Sequence, residues 1–113
     1  MQIQSNRESL HDLLVELLGS PNVYFDPPEN LKMKYPAIVY NRNNIKNTFA
    51  DDKPYKQNCS YIITIIDEDP DSEIIDRISK LPMCTYEQQF TSNGMNHIVF
   101  IIKKKKKGGL TNV

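Results

Sequence analysis

Cys59-Ser60-Tyr61-Ile62-Ile63-Thr64-Ile65-Ile66-Asp67 is the most strand-like stretch of the chain. It is dense in β-branched and aromatic residues, which fit a pleated, buried surface. Its apolar residues fall on both parities, as in Ile62-Ile63 and Ile65-Ile66. That pattern predicts a central strand covered on both faces, with a sheet on one side and a helix or a partner on the other.

Downstream, Asp67-Glu68-Asp69-Pro70-Asp71-Ser72 opens a second helix. Asp69 is placed as its N-cap and Pro70 at its first position, with the acids at the positive end of the helix dipole. Ile74, Ile75, Ile78 and Leu81 form the buried stripe, and Pro82 ends it. A hairpin follows, from Cys84-Thr-Tyr-Glu-Gln-Gln-Phe-Thr through Asn93-Gly94 to Met95-Asn-His-Ile-Val-Phe-Ile-Ile. Asn-Gly suits a type I′ turn because both residues tolerate positive φ. A longer loop over 92–96 is the alternative.

Upstream, residues 43–55 are polar, asparagine-rich and broken by Pro54, and they predict the longest loop. Before it, Ala37-Ile-Val-Tyr-Asn-Arg reads as a short strand, and residues 31–35 alternate weakly toward it. Asn22-Val-Tyr-Phe-Asp is another strand, stopped by Pro27-Pro28. Leu10, Leu13, Leu14, Leu17 and Leu18 repeat at helical spacing and predict a helix over 6–18. Ser5 is its N-cap by capping-box spacing to Glu8, Gly19 takes the left-handed C′ position, and Pro21 prevents continuation. The order is α, β, β, loop, β, α, β, β. It predicts an α+β fold, a mostly antiparallel four- or five-stranded sheet with two helices packed on it. The 113 residues make one domain over 1–102, followed by a flexible basic tail over 103–113.

The zero net charge conceals an asymmetry. Five of the 14 basic residues are Lys103, Lys104, Lys105, Lys106 and Lys107, and all 14 acidic residues precede them. The body therefore holds nine basic against 14 acidic groups, a formal charge of −5. The lysine run has three readings: a solvated end that discourages edge pairing, a protein-binding arm, or a nucleic-acid-binding arm with salt-sensitive affinity.

Enzyme signatures are mostly absent. No glycine-rich phosphate loop or nucleophile elbow occurs; His11 reads as a surface or boundary histidine and His97 as structural. Cys59 and Cys84 read as small buried side chains, with a disulfide possible but not called for. The acid run 67–71 lacks the glycine and spaced glutamate of a calcium loop, so capping explains it better than metal. The expectation is a protein without catalytic residues, cofactor or metal. The chain has no apolar stretch of membrane-spanning length and no signal-peptide core at its start, so nothing marks it for export.

Several segments together resemble a known family: Asn22-Val-Tyr-Phe-Asp-Pro-Pro, Met33-Lys-Tyr-Pro-Ala-Ile-Val-Tyr, Asp51-Asp-Lys-Pro-Tyr and Tyr61-Ile-Ile-Thr-Ile-Ile-Asp-Glu-Asp-Pro-Asp-Ser. With the leading ESLHDLLVELLGSPNVYF helix, they resemble the small tail terminator or tail completion proteins of long-tailed bacteriophages, over roughly residues 8–102. The resemblance implies an α+β subunit of a hexameric ring at the head-proximal end of the tail tube. Such a ring ends tube polymerisation and joins the tail to the head connector, and DNA passes through its lumen without specific binding. The implied partners are further copies, the tail tube protein and the connector or neck proteins, within the virion after assembly in the host cytoplasm. An adjacent head-completion role and a small nucleic-acid-associated protein are the alternatives. The body charge of −5 suits an acidic lumen in which DNA slides, with the lysines facing outward or toward a partner ring. Candidate interface residues are Ile45, Phe49, Lys53 and Tyr55 in the expected loop, and Asn93 and Gly94 at the hairpin tip. Phe49 and Tyr55 either meet a neighbour or fold back on their own core.

Overall fold

The computed structural model describes the backbone of residues 6–50 and 53–106, and within these the side chains of 7–43 and 60–103. A helix, α1 (Asn6–Leu18), precedes strands β1 (Val23–Phe25), β2 (Ala37–Ala50) and β3 (Lys53–Asp67). Helix α2 (Glu73–Ser79) and strands β4 (Cys84–Ser92) and β5 (Met95–Lys106) complete the fold. The five strands form one sheet in the order β1-β2-β3-β5-β4. β1 and β2 run parallel and every other pair is antiparallel. This is the expected α+β architecture.

β3 is the central strand, and register explains its burial. Ile38, Ile65 and Ile98 lie in one row across β2, β3 and β5, and Tyr40, Ile63 and Phe100 in the next. All six are buried, together with Leu10, Leu14 and Leu18 of α1 and Ile74 and Ile78 of α2. Both helices therefore cover the same face. Each fully buried leucine or isoleucine contributes about 1.5–3 kcal/mol. The opposite face carries Val39, Thr64 and Val99 in one row and Asn41, Ile62 and Ile101 in another. No described helix covers it, although the Lys34 amide donates to the Tyr24 hydroxyl beside it (3.3 Å). The double parity of β3 thus reflects one face under helices and one apolar face without them.

The ends of α1 follow the sequence. Gly19 has φ +76° and its amide donates to the Val15 carbonyl (2.9 Å), closing the helix through the left-handed position. Ser5 lies outside the described residues. Arg77 of α2 donates from Nη1 to the Leu17 carbonyl (2.9 Å), fastening α2 to the negative end of α1.

Four expectations need correction. The N-cap of α2 is Ser72, not Asp69: Ser72 is extended (φ −62°, ψ 138°) and its Oγ accepts from the Ile74 amide. Asp67 and Asp69 instead accept the amides of Asp69 and Asp71 (3.0 and 2.9 Å). These local side-chain-to-backbone turns compete with the helix and delay its start. Residues 31–35 form no strand.

The largest correction concerns residues 43–55. Among the described residues, 43–50 and 53–55 are not a loop: β2 continues to Ala50 and β3 begins at Lys53, making a long antiparallel hairpin. Irregularities between Arg42 and Asn44 and between Asn47 and Phe49 absorb the poorly strand-forming residues, and Pro54 sits at the last, irregular end of the ladder. β5 supports this extension by pairing Lys103 through Lys106 with Ser60 through Gln57. Lys103–Lys106 thus continue a strand rather than beginning a flexible tail, while Lys107 and residues 108–113 lie outside the described residues.

Candidate interaction surface

The β4–β5 hairpin is built by its turn. Asn93 (φ 51°) and Gly94 (φ 75°) fill the two positions between paired Ser92 and Met95, the short turn that the Asn-Gly pair predicts. Both are exposed. β4 lies at the sheet edge, and after the half-buried Cys84 every one of its residues is exposed. Tyr86 and Phe90 remain 56% and 46% exposed despite their size. Each leans on β5: Tyr86 meets Phe100 edge-on (6.0 Å), and Phe90 stacks on His97 (4.8 Å, 14°). Only Glu87 is charged, and a register shift separates Tyr86 from Gln88.

A second open edge lies across the sheet. β1 pairs β2 only from Ile38 to Tyr40. The Asp26 amide then donates to the Tyr40 carbonyl (2.9 Å), and Asn41 Nδ2 donates to Asp26 Oδ1 (3.0 Å). From Arg42 to Ala50, no described strand lies outside β2. The candidates Ile45, Phe49 and Lys53 fall on this hairpin, paired with Cys59, Pro54 and Ala50 respectively, and Tyr55 lies on β3 beside them. Their side chains lie outside the described residues. The structure therefore separates the candidates into two groups, one at the distal hairpin and one at the Asn93-Gly94 turn. The edges between them escape sequence reading because openness depends on strand order.

An aromatic and basic cluster was also missed as a unit. Tyr40 is fully buried, and its hydroxyl shares a 2.7 Å hydrogen bond with His11 Nδ1. Burial pushes the Tyr40 hydroxyl above the usual tyrosine value, opposed by Arg7 beside it. The Arg7 and Arg42 guanidiniums lie over the Phe25 ring at 5.0 and 5.8 Å. The adjoining depression, lined by Arg7, Glu8, His11 and Asp12, measures about 190 Å³. It is smaller than the usual small-molecule pocket. His11 thus satisfies a buried hydroxyl from its boundary position beside the leucine stripe.

Cys84 is a free thiol, and burial raises its pKa, which disfavours the nucleophilic thiolate. β5 separates the strands of Cys59 and Cys84. Two strand spacings, roughly 9.6 Å, exceed the reach of a disulfide. Among the described residues no group of three or more His, Cys, Asp or Glu could hold a metal ion. None of their helices is long and apolar enough to cross a membrane. No protein-family model matches the chain, and no curated protein matches it at a significant level.

Proposed function

We propose that this chain is a non-catalytic virion subunit that assembles into a ring at the head-proximal end of a phage tail tube. The ring ends tube growth and joins the tail to the head connector, with DNA passing through its lumen. The observation that carries this reading is the order of the segments resembling tail terminators. Within these segments, residues 23–25, 37–40, 53–55 and 61–67 lie on β1, β2 and β3 of one sheet, and 68–72 lead to α2. The two open edges suit a subunit that meets copies of itself on opposite sides.

Removing the gene from a phage that encodes this chain tests the reading. The expected result is particles in which heads and tails stay unjoined and tails lose length control, with joining restored when the purified chain is added. Normal joined particles without the chain overturn it.

A second reading is favoured by the regular strand spacing at which Lys103–Lys106 are held: a nucleic-acid-associated protein using these lysines. A DNA mobility shift lost on replacing them with serine, and weakened by salt, decides for it.

A further inference from the structure

We infer that copies of this chain associate head to tail by extending the sheet. The outer edge of β4 in one copy pairs with the outer edge of β2, residues 42–50, in the next. The choice of a second copy as occupant rests on the ring-subunit reading; the choice of edges rests on the strand topology.

The two edges match in length and charge. β4 spans nine residues, and the open run 42–50 is as long. β4 carries the single charge of Glu87, whereas the run 42–50 carries Arg42 and Lys46 and no acid. Native edge strands are usually blunted by lysine, proline, bulges or shortness. β4 has only the register shift at Glu87, has neither lysine nor proline, and leaves two aromatic side chains about half exposed. Its uninterrupted run, Gln88 to Ser92, is the best template for a new strand.

Direction and offset are also consistent. β2 and β5 run one way, β3 and β4 the other. A neighbour with its helices on the same face therefore meets β4 with an antiparallel β2. Gln88, the middle of β4, lies level with Val99, Thr64 and Val39. The middle of the open β2 run, Lys46, pairs Asn58, six ladder positions beyond Thr64, a shift of roughly 20 Å. The four continuous strands β2, β3, β5 and β4 repeat every roughly 19 Å across the sheet, so this stagger corresponds to a strand tilt of about 45°. Closed barrels use tilts of about 35–45°. Continuous pairing with this offset is therefore compatible with closure into a ring.

The test uses two full-length variants, each with one edge blocked. Gln88→Lys with Thr91→Lys places charge on exposed β4 positions. Thr48→Pro puts proline where the β2–β3 ladder is already interrupted, with Asn43→Pro at the other interruption as a second choice. Native circular dichroism selects the folded variants, and light scattering gives their mass across concentration. The expected wild type assembles with concentration, and each variant alone stays monomeric. Their equimolar mixture forms a dimer and nothing larger, because one good edge remains on each partner. A mixture that stays monomeric, or a single variant that assembles like the wild type, overturns the pairing and leaves the ring reading standing. A wild type that is monomeric at every concentration also overturns it; the ring reading is then judged by the particle phenotype alone.

Discussion

β3 and β4 flank the same strand, β5, and are held to it by antiparallel ladders, yet they meet opposite surroundings. Tyr61, Ile63 and Ile65 of β3 are sealed under two helices, while β4 beyond Cys84 is open to solvent. The difference teaches that the ladder alone does not dictate sequence. β3 is constrained by packing on its helix-covered face; β4 is constrained mainly by its turn and its backbone pairing. A strand whose side chains the core does not need is free to present them elsewhere.

The sharpest test of this contrast is truncation to alanine on each strand. Ile63→Ala removes a fully buried side chain and is expected to destabilise by about 2–5 kcal/mol in urea unfolding. That is a large part of the total for a small domain, about 5–15 kcal/mol. Phe90→Ala, although it removes a larger group, is expected to cost about 1 kcal/mol, mostly the His97 stack. Equal losses at the two sites break the comparison.

Tyr40→Phe probes the polar exception inside the helix-covered core. It leaves the ring packing intact and removes the hydroxyl that His11 satisfies, for an expected loss of about 1 kcal/mol at neutral pH. The difference narrows at high pH. Burial raises the folded-state pKa of Tyr40, so the folded chain keeps its proton longer than the unfolded one. The unfolded hydroxyl ionises at about 10, and wild-type stability falls as pH rises above that value. The phenylalanine variant should lack this share of the alkaline loss, which unfolding curves at pH 8 and pH 11 will show.

A smaller effect separates the turn that holds β4 from the helix end. Gly94 (φ +75°) and Gly19 (φ +76°) each have open space around a would-be Cβ, so alanine at either costs only backbone strain, about 1–2 kcal/mol. The consequences differ in place. Gly94→Ala should speed amide exchange selectively across β4, because little else anchors that strand. Gly19→Ala should lower protection more evenly, because α1 is fastened through the core. Uniform exchange in both variants would show β4 to be as firmly held as β3.

Reading from the sequence worked where a residue's own pattern determines its surroundings. The leucine spacing of α1, the isoleucine density of β3 and the Asn93-Gly94 turn each carry a local physical signal, and each element lies where the signal puts it. It failed at residues 43–55, where strand structure comes from pairing with β3 against local propensity, and at Asp69, where side-chain turns compete with capping. The open edges were legible only in part. Asn93 and Gly94 mark the tip of β4, but that β4 lies outermost and that β1 pairs β2 no further than Tyr40 are facts of strand order. The burial partner of His11 lies 29 residues away, beyond any local motif.

The smallest expected effect on stability is at Gln88. It is exposed on an edge strand, and lysine there keeps the backbone ladder to Val99, so Gln88→Lys should change unfolding free energy by no more than about 0.5 kcal/mol. If β4 is free of packing duty because it serves association, the same substitution should weaken assembly far more than folding. Paired measurements on one sample, urea midpoint and mass by light scattering, separate the two. A shifted midpoint with unchanged mass would assign β4 to stability after all. An unchanged midpoint with lost assembly would place the functional constraint on the strand the core leaves alone.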